Sequence, residues 1–253
     1  LYSVYLSFML FLRFMQNVKK IKKCRVCGSP KIATFFDLGA QPLANSLLKK
    51  PAAKEKKYPL QLSHCADCSL VQLNHTVSPE KLFSDYVWVT GTSKGANDFA
   101  FKFRDMLLSR RKIQPAGLVL EIASNDGTFL KPFQEKGFTV LGIDPAKNIV
   151  EMANADGVPS EVVFFGVSSA RKLLEKHCPA EAVFARNVLP HVAQTRDFVE
   201  GLATVLKKDG IVAIEAHYAD VILKELHYDS IYHEHLCYFT LKSLERLLSD
   251  FGL

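Results

Sequence analysis

The chain has 253 residues and a mass of 28.3 kDa, with 48% hydrophobic and 23% charged residues. That composition excludes a disordered or fibrous protein and leaves room for one large domain or a small one joined to a medium one. Lys and Arg outnumber Asp and Glu by 32 to 26, a formal net charge of +6, and the excess gathers near the N-terminus in Lys19, Lys20, Lys22, Lys23, Lys49, Lys50, Lys54, Lys56 and Lys57; it reads as a solvated basic surface rather than a docking site for an anionic partner.

The first fifteen residues, LYSVYLSFMLFLRFM, are almost wholly apolar yet interrupted by Arg13, and they fall short of the roughly 20 residues of a membrane span. No basic residue precedes the apolar stretch and no small-residue cleavage site follows it, so it does not read as a signal peptide. The expectation is an N-terminal extension over 1–20 outside the fold, with Met15 as the start of a cytoplasmic protein that has no membrane partner. At the other end Phe251-Gly252-Leu253 follows directly on a helix pattern closed by glycine, where another strand is expected, so the sequence reads as a fragment.

Next come two C-x-x-C knuckles, Cys24-Arg-Val-Cys27 and Cys65-Ala-Asp-Cys68, separated by the 37 residues 28–64. Two residues between cysteines let one tight turn aim both sulfurs at a single ion, and two such turns complete a closed tetrathiolate shell, which is structural zinc rather than a catalytic metal. Two disulfides or free thiols are the alternative, and disulfides need an oxidising compartment for which the sequence offers no export signal. Cys178 and Cys237 lack such spacing, and His64 beside a knuckle is superfluous once four thiolates fill the shell. Short strands at 34–38, 58–62 and 70–73 make residues 21–83 a zinc-ribbon-like, zinc-binding domain. Ser78-Pro79 then opens a helix, and a longer one over 93–111 forms a helical linker spanning 84–112.

From Gly117 apolar runs alternate with amphipathic helices: strands at 118–122, 139–143, 162–165, 182–185 and 211–215, and helices at 127–136, 145–155, 169–176, 197–207 and 241–250, with Ser168, Thr195 and Thr240 as caps. Such alternation predicts an α/β fold, a Rossmann-like parallel sheet covered on both faces, over 113–253. The first strand runs into Glu121-Ile-Ala-Ser124-Asn125-Asp126-Gly127 and the second ends in Gly142-Ile-Asp144. Small residues after the first strand let the backbone approach a ligand, and an acidic residue after the second accepts from both ribose hydroxyls. With only Gly127 present the dinucleotide fingerprint G-x-G-x-x-G is missing. The loop resembles motif I of the class I S-adenosylmethionine (SAM) methyltransferases.

Taken in order, Cys-x-x-Cys-Gly28, Leu38-Gly-Ala-Gln-Pro42-Leu-Ala-Asn45, the second knuckle, Asp85-Tyr86 with Gly91-Thr-Ser93, the 121–127 loop, Asn187-Val-Leu-Pro-His191 and Ile231-Tyr232-His233-Glu234-His235 resemble the zinc-containing nucleotide-sugar C-methyltransferases of deoxysugar biosynthesis. The resemblance covers about residues 21–253 and implies a partial methyltransferase sheet, with SAM and a structural zinc ion as cofactors and a nucleotide sugar as substrate. The implied reaction transfers a methyl group to the carbon beside a 4-keto group. That carbon becomes nucleophilic only as an enolate, which demands a base and a stabilised oxyanion. By resemblance Tyr232 and His235 move the proton, Glu234 orients one of them, and His191 and Tyr86 surround the sugar. Cofactor contacts are expected from Glu121, Ser124, Asn125, Asp126, Gly127, Asp144 and Asn187, with Phe164 and Phe165 as candidates beside adenine. His233, between the reactive positions, is expected to face the protein, and His75, His177, His217 and His227 receive no role. Two other functions compete. A base-flipping nucleic-acid methyltransferase commonly carries Asn/Asp-Pro-Pro-aromatic where this chain has Asn187-Val-Leu-Pro-His191, so no nucleic-acid partner is expected. A zinc-ribbon binding module on a degenerate fold would not need Asp144, Tyr232, Glu234 and His235.

Overall fold

The computed structural model describes residues 18–48, 50, 55–83, 87–114 and 116–253. Its strands are, in chain order, β1 (Val18–Lys20), β2 (Ile32–Pro42), β3 (Lys57–Cys65), β4 (Val71–Leu73), β5 (His75–Val77), β6 (Leu118–Ile122), β7 (Thr139–Asp144), β8 (Ser160–Val162), β9 (Ala180–Arg186), β10 (Leu206–Glu215) and β11 (Cys237–Tyr238). Contacts divide the described residues into two units, one of those from 18 to 82 with 190–193 and 217–246, the other of those within 83–189, 194–216 and 247–253.

In the first unit β2, β3, β4 and β11 form an antiparallel sheet in the order β11-β4-β3-β2. The strands expected at 34–38, 58–62 and 70–73 are the middles of β2, β3 and β4. β11 was not foreseen: Cys237 pairs with Gln72 and Tyr238 with Val71, and the Leu73 amide donates to the Leu236 carbonyl. Residues 217–246, which the linear reading assigns to the methyltransferase domain, thereby join the residues around the cysteines. Of the N-terminal extension, 1–17 lie outside the described residues. Val18–Lys20 pairs antiparallel with β5, so residues 18–20, expected outside the fold, are part of it.

In the second unit the sheet is parallel throughout, in the order β10-β9-β6-β7-β8. Strand order reverses between β6 and β9, the position at which doubly wound sheets open a crevice beyond their carboxyl ends. Every residue of β6 is buried, as expected of a central strand covered on both faces. The helix Lys94–Arg110, capped by Ser93 whose hydroxyl accepts from the Ala96 amide, buries Ala100, Phe103 and Leu107. Phe103 meets Phe184 and Phe129 edge-on at 5.0 and 5.8 Å, and Phe133 stacks on Phe184 at 5.7 Å. The segment read as a linker thus supplies part of the core, and cutting Phe184 to Ala would cost about 3–5 kcal/mol.

Several boundaries differ from expectation. The strand expected at 162–165 is Ser160–Val162, because the Phe165 ring packs edge-on against Phe198 at 5.4 Å instead of continuing the sheet. The helix expected from residue 127 starts at Lys131 after a turn in which the Leu130 amide reaches the Gly127 carbonyl. Ser168 is not a cap, since Gly166 precedes the helix Val167–Lys176 and exchanges bonds with Ser169 Oγ; Thr195 lies inside its helix. Thr240 does cap, its hydroxyl accepting from the Ser243 amide at 3.1 Å. No helix among the described residues is long and apolar enough to cross a membrane.

Candidate functional site

Both cysteine knuckles are built alike. The Gly28 amide returns to the Cys24 carbonyl and the Ser69 amide to the Cys65 carbonyl, with left-handed φ of 73° at Gly28 and 64° at Ser69. These turns bring Cys24 Sγ to 3.5 Å from Cys68 Sγ and Cys27 Sγ to 3.6 Å from Cys65 Sγ, and all four sulfurs lie within 4.8 Å of one another. A tetrahedral ion holding sulfur at about 2.3 Å sets the sulfurs about 3.8 Å apart, so the donor set fits zinc. Crowding the thiols splits their acidities: the bond from Cys68 pulls Cys24 down to about 5, while the same bond and burial push Cys68 up. A divalent cation removes that conflict by holding all four as thiolates.

At the carboxyl ends of β6 and β7 the chain makes a strained turn. Ala123, Asn125 and Gly127 have φ of 57°, 50° and 78°, and a Cβ on Gly127 would stand 2.7 Å from Val158 Cγ1, so only glycine fits there. Asp144 organises this turn, accepting from the Asn125 amide at 3.0 Å and from the Ala146 amide at 2.9 Å, while burial raises its pKa against those bonds. Glu121 is wholly buried with Oε2 unpaired, and burial holds its carboxyl well above the usual range against the pull of Arg186. Ser124 Oγ is likewise buried without a partner. Two unsatisfied polar atoms at the end of a parallel sheet fit a polar ligand such as SAM. Asn125 and Asp126 point elsewhere: Asn125 bonds Trp88 O and the Thr90 amide, and Asp126 takes the Gly91 amide at 2.8 Å, strapping the 88–91 segment to the turn. Asn187, with φ of 50°, donates its side-chain amide to Glu215 at 2.7 Å, and the same carboxylate accepts from Arg186, whose guanidinium lies 3.3 Å from the centre of the Phe129 ring.

The first unit carries a cluster of aromatic acid/base groups, with His235 and Tyr238 buried and Tyr232, His191 and His217 half-buried. His235 Nδ1 lies 2.8 Å from the Ser230 carbonyl and Nε2 lies 2.9 Å from the Tyr232 hydroxyl. A carbonyl can only accept, so Nδ1 carries the proton and Nε2 accepts from Tyr232. Tyr238 donates to the same Ser230 carbonyl at 3.1 Å, fixing it from a second side. Burial, countered by the Ser230 bond, pushes the His235 pKa down to about 4, so the ring is neutral at pH 7. The rings of His191 and His217 lie 4.8 and 4.7 Å from that of His235. His191 Nδ1 donates to the Glu234 carbonyl at 3.0 Å, and the Glu234 side chain receives Asn45 Nδ2 at 2.8 and 2.9 Å on its two oxygens.

Residues 24–83 match the family model described as "Putative zinc binding domain", and residues 96–253 match the one described as "Methyltransferase domain". The second match covers more than half of the chain. The chain belongs to the methyltransferase domain family. Among curated proteins the chain is 32% identical over 231 residues to the C-methyltransferase NovU of Streptomyces niveus, covering 90% of this chain and 55% of that one. It is 30% identical over 101 residues to a ubiquinone biosynthesis O-methyltransferase of Bartonella bacilliformis, 39% of this chain and 41% of the other. The chain thus spans about half the length of these relatives. A SAM-dependent methyltransferase structure from Archaeoglobus fulgidus aligns with a TM-score of 0.50 at 15% identity, covering 62% of this chain and 68% of that one, which bears on the fold alone.

Of the site residues expected from the sequence, the four cysteines converge, Glu121, Ser124, Asn125, Asp126, Gly127, Asp144 and Asn187 lie at the carboxyl ends of three neighbouring strands, and His191, Tyr232, Glu234 and His235 cluster. Tyr86 lies outside the described residues. His233 faces the protein as expected: Nε2 meets the Tyr58 carbonyl at 3.1 Å, and the ring stands edge-on to Tyr58. Phe165 packs on Phe198, whereas Phe164 is half exposed. Three participants escaped the sequence reading. His217 joins the histidine cluster, and its position just past the carboxyl end of β10 was the available signal. Asn45 closes on Glu234 from 189 residues away, inside a motif already singled out. Arg25, between the first two cysteines, donates to Ala193 O and to Leu73 O, tying the knuckle to the segment that carries His191.

Proposed function

We propose that the protein methylates, from SAM, the carbon adjacent to the ketone of a 4-keto nucleotide-linked deoxysugar, through an enolate of the sugar. The observation that carries this reading is the hydrogen bond between the Tyr232 hydroxyl and His235 Nε2, with the far side of the imidazole anchored by the Ser230 carbonyl, an arrangement able to pass a proton. As the substrate C–H bond breaks, its proton passes to Tyr232 Oη while the phenol proton moves to Nε2, and the bonding pair becomes the enolate. Bound SAM supplies an electrophilic methyl group to that carbon. Holding His235 neutral at rest keeps its lone pair available, and its Nδ1–H bond prevents the ring from turning over.

His191 is expected beside the sugar, its ring held by the bond from Nδ1–H to the Glu234 carbonyl and lying 4.8 Å from that of His235. Glu121, Ser124 and Asp144 are the proposed cofactor contacts, while Asn125, Asp126 and Asn187 hold the surrounding loops in place. Zinc on Cys24, Cys27, Cys65 and Cys68 keeps the knuckles closed and takes no part in the chemistry. The name C-methyltransferase borne by NovU and the sequence resemblance support carbon as the acceptor. The test is solvent exchange: in D2O without a methyl donor, the protein should place deuterium on the carbon beside the ketone. Exchange should fall about 10²–10⁴-fold in Tyr232→Phe. A Tyr232→Phe variant that exchanges at the parental rate removes the proton path.

A further inference from the structure

We propose that Asn45 is a positioning residue of the acid/base cluster: its side-chain amide fixes the Glu234 carboxylate in one orientation and in its ionised form. The inference rests on the reading of Tyr232, Glu234 and His235 as acid/base groups. Glu234 is 3% exposed, and its described side-chain partner is Asn45 Nδ2, at 2.8 Å from one oxygen and 2.9 Å from the other. An amide nitrogen donating to both oxygens favours the carboxylate over the acid, because hydrogen bonds to the charged form stabilise it. Asn45 itself is exposed, in the turn after β2, so its amide gives up water to hold a buried group contributed by the far end of the chain.

The groups around Glu234 leave Asn45 this task. His191 reaches the Glu234 backbone carbonyl rather than the carboxylate, His233 is bound to Tyr58 O, and His235 is bound to Tyr232 and Ser230. Burial drives the carboxyl toward its neutral form, and the Asn45 bonds oppose it. Because His191 hangs on the Glu234 carbonyl and His235 follows it directly, a shift of Glu234 displaces both imidazoles. The zinc-binding half of the sequence therefore contributes a side chain to the reaction centre as well as a scaffold.

The experiment uses zinc-loaded protein labelled with ¹³C at the glutamate carboxyl, the Glu234 signal being assigned by its absence in Glu234→Gln. The expected result is that its titration moves up by about half a pH unit in Asn45→Ala and by about one in Asn45→Asp, where a second carboxylate faces it. The acid limb of turnover on a 4-keto nucleotide sugar should move up with it, because activity needs the ionised form and a raised pKa loses that form at higher pH. Adding Asn45→Ala to Glu234→Gln should cost nothing further. Zinc content and SAM affinity should match the parent. A Glu234 titration unchanged in both Asn45 variants overturns the proposal, and so does an acid limb that stays in place while the titration moves. A parent that turns over no 4-keto nucleotide sugar refutes the proposed function instead, and the carboxyl titration, which needs no substrate, still decides for or against the Asn45 clamp.

Discussion

Acidification should expose the cost of burying His235. The imidazole titrates near 4 in the folded protein because burial disfavours its cation, against about 6.5 in an unfolded chain. Between those values the unfolded state binds the extra proton, so stability falls as pH drops through about 6.5 and levels off below about 4. At pH 7.5 the effect is close to zero. At pH 5 the unfolded state is favoured about 30-fold by this group, or about 2 kcal/mol. Other buried groups titrate as well, Glu121, Asp144 and Glu234 with the opposite sign, so absolute stability is a poor readout. The comparison that isolates His235 is urea unfolding of the parent and of His235→Asn at pH 7.5 and pH 5.0. The variant loses the bonds to Ser230 and Tyr232 at both pH values, a constant offset of about 1–3 kcal/mol. Its deficit relative to the parent should then shrink by about 2 kcal/mol on going to pH 5. Parallel losses in the two proteins would mean that the imidazole is not held neutral by burial, and the resting state of the proton path would have to be redrawn.

The remaining predictions concern the metal, the cofactor and the histidine cluster. Purified protein should carry about one zinc ion per chain, and Cys65→Ser should lose it along with much of the folded population of the first unit, as measured by metal analysis and far-UV circular dichroism; a reduced protein free of zinc yet fully folded would rule the site out. Asp144→Ala should weaken SAM binding by about 1.5–3 kcal/mol in calorimetry, since a charged acceptor and the clamp on the Asn125 and Ala146 amides are lost together; unchanged affinity would take Asp144 out of the site. His217→Phe keeps a ring against His235 but removes the charge that depresses its neighbour, so His235 should titrate at higher pH by NMR; no movement would show that His217 is packing alone.

The parts of this fold that could be read from sequence are those whose cause is local. β6 is buried on both faces and is therefore apolar except for Glu121 near its carboxyl end, and each knuckle is one short turn whose cysteine spacing declares its purpose. The run Val162–Phe165 is wholly apolar for a different cause, since Phe165 packs against a helix side chain, Phe198. β11 consists of two residues that become a strand only because Gln72 and Val71, far earlier in the chain, offer an edge to Cys237 and Tyr238. Asn45 and Arg25 are polar residues without a periodic pattern, and their partners Glu234 and Ala193 lie 189 and 168 residues away. His217 stood in plain sequence but lacked a neighbour until the fold set His235 4.7 Å from it. For Asn125, Asp126 and Asn187 the motif marked loops that lie at strand ends, while the direction of each side chain, toward the 88–91 segment or toward Glu215, was set by backbone geometry that a motif does not encode.

Carbon methylation of a keto sugar is the central claim, and the fate of a labelled methyl group tests it most directly. Zinc-loaded protein would be incubated with SAM carrying ¹³C in its methyl group and a 4-keto nucleotide deoxysugar, and the product examined by NMR. The account predicts a labelled methyl bonded to the ring carbon beside the ketone, showing one-bond carbon–carbon coupling when the sugar is labelled too, and its loss in Tyr232→Phe and His235→Asn with SAM binding intact. A labelled methyl on oxygen or nitrogen, or carbon methylation that survives both substitutions at the parental rate, would contradict it.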